Sequence, residues 1–219
     1  MKDTIIIRRE QSGLEIHSGG KTLAIDIGTL TPAETVKAMV APDAILVSHK
    51  HADHLGLDHL KILGAPIVAP GDVVELLHDG ANATAIRAGQ TLDVAGFTVT
   101  AIEADHGPKL SAPIENIGFI IWFPGGGHSL YFAGDIARPG TPPAGTFDIV
   151  VLPVGGAGFV FDPDEAVAYL EQIGHRGRVI PVHDGGPCDP DAIARFADIA
   201  PAHLEVIKLA PGERVEVQA

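Results

Sequence analysis

The chain has 219 residues, 46% hydrophobic and 20% charged, and a net charge of −13 from 15 Lys and Arg against 28 Asp and Glu. That composition supports a real core and excludes disorder as the main state, while the acidity disfavours nucleic acid and anionic membranes as partners. A lone cysteine, Cys188, excludes an intramolecular disulfide framework, and no apolar run is long enough for a signal peptide or a membrane span.

The first 30 residues predict strands at 4–9, 14–18 and 22–27, parted by Gly13, Gly19 and Gly20. Thr31-Pro32-Ala33-Glu34 signals a helix running to about Val40. Thr31 is the expected cap, Pro32 suits the first helical position and Glu34 completes a capping box. A short buried strand at 44–48 ends in His49-Lys50-His51-Ala52-Asp53-His54, and a helix is expected from Asp53 to about Leu63. A strand at 66–69 and a short helix at 72–79 follow. The second half reads as strands at 83–88, 91–94, 97–104, 117–123 and 129–133, with a Gly125-Gly126-Gly127 hairpin before the last. A buried strand at 147–153 precedes a helix opened by Asp162-Pro163-Asp164-Glu165 and ending near Gly174. The chain closes with a strand at 178–182, a helix at 190–199, and strands at 204–208 and 215–217. A β-rich stretch followed by an α/β stretch thus occurs twice. It predicts an α/β fold of two mixed sheets packed face to face with helices outside, a four-layer αββα sandwich. Length and the absence of a dividing linker predict one domain over residues 1–219. A soluble, cytoplasmic protein is expected.

Eleven histidines are many for this length, and histidine both ligates metals and exchanges protons near neutral pH. His49-x-His51-x-Asp53-His54 places four metal-capable side chains within six residues, directly after a strand whose period-two geometry aims His49 and His51 the same way. Such a set is suited to two ions rather than one. Three further candidates follow predicted strands: His106, Asp135 and His183. Each alone reads as a turn or loop residue. Their shared placement past strand C-termini points to one sheet edge, where ligand sites of layered α/β folds gather.

These residues resemble the metallo-β-lactamase superfamily, over nearly the whole chain. The likeness is greatest to its small single-domain branch of metal-dependent hydrolases and ascorbate-6-phosphate lactonases, through Leu152-Pro153-Val154-Gly155-Gly156, the Asp162–Ala166 helix start and Pro181-Val182-His183. Two departures bear on the substrate pocket: Ile136 stands where the family has Thr or Ser after Gly-Asp, and the segment after His106 is short. The resemblance implies that His49, His51 and His106 hold one metal, that Asp53, His54 and His183 hold the second, and that Asp135 bridges them. It implies two divalent ions, zinc first with manganese or iron as alternatives. It also implies a hydrolase in which a metal-bridging hydroxide attacks a small anionic ester or lactone, with Asp53 as the catalytic carboxylate. The alternatives are a phosphodiesterase of the same superfamily and a non-catalytic, metal-stabilised binding protein. The expected partner is a small-molecule substrate, with no nucleic acid and no membrane; a homo-oligomer is allowed.

Lys109 and Arg138 follow His106 and Asp135, and are either contacts to an anionic group or solvated charges. Asp26 either orients a ligand histidine or serves as a turn residue. His59 points away from the motif and reads as a pair with Asp58. His17, His78, His128, His175 and His203 read as surface or structural, and Cys188 as a plain semi-buried thiol. Gly155-Gly156-Ala157-Gly158 reads as a close backbone approach to substrate, and Phe159-Val160-Phe161 as a pocket wall or a subunit contact.

Overall fold

Strands rich in apolar residues generate two seven-stranded sheets in the computed structural model, which describes residues 4–77, 79–107, 114–140, 143 and 145–217. The first sheet contains β1 (Thr4–Arg8), β2 (Leu14–Ser18), β3 (Lys21–Ile25), β4 (Ala44–Leu46), β5 (Ile67–Ala69) and β6 (Ala83–Ala85). The second contains β7 (Thr91–Val94), β8 (Phe97–Glu103), β9 (Ile117–Trp122), β10 (Ser129–Phe132), β11 (Ile149–Pro153), β12 (Arg178–Val182) and β13 (Glu205–Val206). The closing strand β14 (Arg214–Val217) returns to the first sheet and pairs antiparallel with β1. Strand orders are β14-β1-β2-β3-β4-β5-β6 and β13-β12-β11-β10-β9-β8-β7. In each sheet the first part is antiparallel, up to β3 or β10, and the rest is parallel.

The strand period of two sorts side chains between layers. Leu23, Ile25, Ala44 and Leu46 meet Ile149, Val151, Phe119 and Phe132 between the sheets. Their neighbours Ala24 and Ile45 face the other way, onto Val36, Leu60, Leu63 and Val73. These last belong to the helices α1 (Ala33–Ala38), α2 (Leu57–Leu63) and α3 (Gly71–Val74). On the far side, Val150 and Leu152 pack on Ala166, Tyr169, Leu170, Ile193 and Phe196, carried by α4 (Pro163–Gln172) and α5 (Ala192–Ile199). This is the αββα order of layers. Each fully buried Leu, Ile or Phe contributes about 1.5–3 kcal/mol of apolar transfer, so the central layer dominates cohesion.

Local expectations fared unevenly. The Asp162 capping box forms, with Glu165 N–H donating to the Asp162 side chain and the Glu165 carboxylate accepting from the Asp162 N–H. The Thr31 capping box does not: Pro32 occupies the cap position of α1 without a side-chain bond, and Thr31 is buried instead. The helix expected from Asp53 begins at Leu57, because Gly56 is extended at φ −94° and ψ 93° and donates its N–H to the Ile27 carbonyl, which ends the turn begun at His51. Strands β4 and β6 and helix α3 are shorter than expected.

The C-terminal ends of β3, β4, β8, β10 and β12 all reach the same edge of the sandwich. There the sheets are tied by Ile117 N–H donating to the Ser48 carbonyl at 3.1 Å. Among the described residues no helix is long and apolar enough to cross a membrane.

Candidate metal centre

Each side chain of the centre sits one to eight residues past a strand end, where the ladder stops and the backbone is free to turn. β4 gives way to His49, His51, Asp53 and His54. β8 leads to His106, β10 to Asp135 through Gly134 at φ 65°, and β12 to His183 at φ 70°. Two glycines permit the close packing of these loops. A Cβ on Gly28 would lie 1.9 Å from the Asp53 carbonyl oxygen, and one on Gly155 would lie 1.9 Å from the His183 carbonyl oxygen. The approach expected of Gly155 toward substrate is thus made toward the His183 loop.

All seven sequence-selected residues converge. Asp135 Oδ2 is the focus, at 3.1 Å from His183 Nε2, 3.2 Å from His54 Nε2, 3.4 Å from His106 Nε2 and 3.9 Å from His49 Nε2. Asp53 Oδ2 lies 3.5 Å from His183 Nε2 and 3.8 Å from His54 Nε2. His51 Nδ1 stands 3.0 Å from His49 Nε2 and 3.2 Å from His106 Nε2. Two sets result, His49, His51, His106 with Asp135, and Asp53, His54 with His183; within each set the donor atoms lie within 4.8 Å of one another.

The remaining ring nitrogens explain the orientation. His54 Nδ1 donates to Asp26 Oδ2 at 2.8 Å. His49 Nδ1 donates to Ser48 Oγ at 2.9 Å, and that hydroxyl donates to Asp26 Oδ2 at 2.6 Å. His183 Nδ1 touches Cys188 Sγ at 3.3 Å. With Nδ1 engaged, Nε2 of each ring is left facing the focus. Asp26 therefore orients a histidine and is not merely a turn residue. Cys188 is buried against His183, closer to the centre than a plain thiol.

Charge is distributed to match. Burial alone would keep His54 neutral, but the Asp135 and Asp26 carboxylates outweigh it and raise its pKa to about 10. The same opposition lifts His183 well above the ordinary imidazole value, through Asp135, Asp53 and Cys188. Burial, then the neighbouring His54, holds His49 well below that value. Burial also lowers His51, reinforced by His106. Asp53 and Asp135 stay below the usual carboxylate range, because His183 and His54 overcome the opposing effect of burial.

A cation fits this arrangement. Among the described residues, His54 Nε2, His183 Nε2 and Asp135 Oδ1 are buried without a hydrogen-bond partner. Five imidazoles and two carboxylates aimed at one focus are the donors a divalent transition ion takes.

The other candidates lie elsewhere. His59 Nδ1 donates to the Gly28 carbonyl at 3.0 Å, and Asp58 pairs with Lys61 rather than with His59. His17 meets Thr22, His128 meets Asp148, His175 meets the Arg178 carbonyl and His203 meets Arg176. Arg138 is exposed. Lys109 and His78 lie outside the described residues. Sequence reasoning passed over Ser48, which carried no signal beyond its place before the motif, and Gln11, which carried none. A cavity of about 440 Å³ opens onto the centre, with Asp53, His106, Asp135 and His183 at its floor and Leu30, Phe159 and Pro187 on its walls.

The sequence profile of the β-lactamase superfamily domain matches residues 25–183, a span that contains all seven residues of the centre. A UPF0173 metal-dependent hydrolase of Methanoculleus marisnigri is 31% identical over 223 residues, covering 91% of this chain and 91% of the relative. One of Nitratidesulfovibrio vulgaris is 29% identical over 230 residues, covering 92% and 90%. In structure, the chain is similar to the metallo hydrolase Igni18 of the archaeon Ignicoccus hospitalis, with a TM-score of 0.77, 22% identity and full coverage of both chains. It is also similar to the metallo-β-lactamase fold protein YhfI of Bacillus subtilis, with a TM-score of 0.74, 17% identity and coverage of 98% and 100%. The chain belongs to the β-lactamase superfamily, as a metal-dependent hydrolase built on the metallo-β-lactamase fold.

Proposed function

We propose that the chain is a binuclear hydrolase acting on a small ester or lactone that carries an anionic group. The observation behind the reading is the position of Asp135 Oδ2, within 3.9 Å of four imidazole nitrogens drawn from three separate loops. One ion would be held by His49, His51 and His106, the second by Asp53, His54 and His183, with Asp135 shared. Zinc suits the donor set first. When bound, a pair of divalent ions supplies a water acidified toward neutrality and an electrophilic contact for the substrate oxygen.

The chain's own groups do the rest. Asp53, whose side chain is 29% exposed at the floor of the cavity, is placed to orient the attacking water. Its Oδ2 can accept the water's proton and return it to the leaving oxygen. Leu30, Phe159 and Pro187 offer an apolar seat to the part of the substrate that does not react, and so exclude bulk water from the floor. Two divalent ions held by these residues would bring four positive charges against the carboxylates of Asp53 and Asp135. The filled centre therefore favours an anionic substrate despite the acidic surface.

The test is metal content per chain by mass spectrometry, with turnover measured on esters, lactones and bis-nitrophenyl phosphate. Two ions per chain with ester or lactone turnover, abolished in His51→Ala, is the expected result. Undiminished turnover in His51→Ala refutes the assignment. Two ions with activity only on the phosphodiester moves the reading to a phosphodiesterase, and two ions with no turnover moves it to a binding protein.

A further inference from the structure

Gln11 lies in the turn between β1 and β2, 42 residues from Asp53 and 174 from Gly185 along the chain, yet its side chain reaches both. The residue is buried, with a left-handed backbone at φ 53°. Its Nε2 donates to Asp53 Oδ2 at 3.3 Å, and its Oε1 accepts from the Gly185 N–H at 2.8 Å. Its carbonyl oxygen accepts from the His183 N–H at 3.3 Å. One residue thus touches both the loop that carries Asp53 and the loop that carries His183.

The turn itself is braced. Arg8, fully buried on β1, is ion-paired with Asp184 and donates to the Leu209 carbonyl at 2.7 Å. It also reaches the Gln11 carbonyl at 3.5 Å. Gly185 leaves the space the amide needs, since a Cβ there would stand 2.6 Å from Gln11 Oε1. Because Gly185 supplies a donor, the amide oxygen faces Gly185 and the amide N–H faces the Asp53 carboxylate.

We propose that Gln11 is a positioning residue for the Asp53, His54 and His183 set. The proposal rests on the two-ion reading above. Asp53, with a side chain 29% exposed against 3% for Asp135, is the more open carboxylate of the centre, and unrestrained it would sample rotamers pointing into solvent. The Gln11 N–H holds Oδ2 beside His183 Nε2 before any ion arrives, so that less side-chain freedom is lost on binding. The other set is fixed by a separate device, the chain from His49 through Ser48 to Asp26. Loss of Gln11 therefore acts on one ion and spares the other.

The test uses zinc titrated into metal-free full-length protein against a fluorescent chelator, which resolves two binding steps. Gln11→Leu keeps the size and the main-chain bond to His183 and removes both side-chain bonds. Gly185→Ala displaces the same amide without altering Gln11, and covers the case in which Gln11→Leu folds poorly. Each variant is expected to weaken one step by about 10–100-fold, the range for partners of metal ligands, and to leave the other within about threefold. Either variant binding both ions as the wild type does, or losing both equally, overturns the proposal. A wild-type chain that takes up fewer than two ions refutes the two-ion reading itself, and the proposal falls with it.

Discussion

Asp26→Asn isolates the group that orients His54. Asp26 is fully buried and accepts three bonds: Ser48 N–H at 2.7 Å on Oδ1, and Ser48 Oγ at 2.6 Å with His54 Nδ1 at 2.8 Å on Oδ2. Its backbone is left-handed at φ 49°, a conformation asparagine tolerates as well as aspartate, so the substitution leaves the main chain unstrained. Asparagine has one acceptor oxygen and one NH2 in the same outline. If the NH2 takes the Oδ2 position, His54 must give up its Nδ1 proton and keep only the one on Nε2, the atom that faces Asp135. If the NH2 takes the Oδ1 position, it meets the Ser48 N–H, and a buried donor is left unpaired. Either outcome removes a charge-assisted bond or orphans a donor, at about 2 kcal/mol. For a chain of this size that is a fall of about 4–8 °C in the melting temperature of the metal-free protein. Zinc affinity should fall by about 10–100-fold. Scanning calorimetry of metal-free protein and chelator competition measure the two. A midpoint within about 1 °C of the wild type, with affinity within about threefold, would refute the role given to Asp26.

Metal uptake should release protons. At pH 7 the metal-free centre holds a proton on His54, whose pKa is about 10, and another on His183, and both must leave for a cation to bind. Affinity should therefore fall as pH falls, and calorimetry in buffers of different ionisation enthalpy should detect the released protons; uptake without proton release contradicts the charge pattern. The same linkage has a sign for the metal-free fold. The His54 contribution is full below the ordinary imidazole value of 6.5 and is lost as pH rises through about 10. A melting temperature of metal-free protein that rises between pH 7 and pH 10 would oppose this. Gly28→Ala drives a Cβ to within 1.9 Å of the Asp53 carbonyl, where main chain rather than a flexible side chain must yield. We expect a loss of at least about 1–3 kcal/mol in urea unfolding, with reduced metal content; unaltered metal content would show that the loop carries Asp53 and His54 independently of its neighbour.

The legible part of the site was its local part. His49, His51, Asp53 and His54 stand within six residues, so their spacing is visible on the line of the sequence. His106, Asp135 and His183 were readable because each follows a strand, and parallel neighbours such as β10, β11 and β12 end at a common edge. The layer order was legible in the repeated order of β-rich and then α/β elements; β4 and β11 are buried on both faces and send alternate side chains into different layers. Gln11 was illegible because its partners are 42 and 174 residues away and a glutamine in a turn carries no pattern. Thr31 misled because Thr-Pro-x-Glu satisfies the local rule for a cap, while packing in the fold buries the hydroxyl and hands the cap position to Pro32. The helix begins four residues later than the sequence predicts, because a polar turn of His and Asp and a first helical turn share the same composition.

The centre draws its donors from the loop after β4 in one sheet and from those after β8, β10 and β12 in the other, 134 residues apart between His49 and His183. A cation seated there acts as a rivet through both halves. During synthesis it can close only once His183 has emerged and the second sheet has docked, so ion loading would mark the completion of folding rather than its start. Scavenging the ion should then loosen the seam between the sheets before it disturbs either sheet alone.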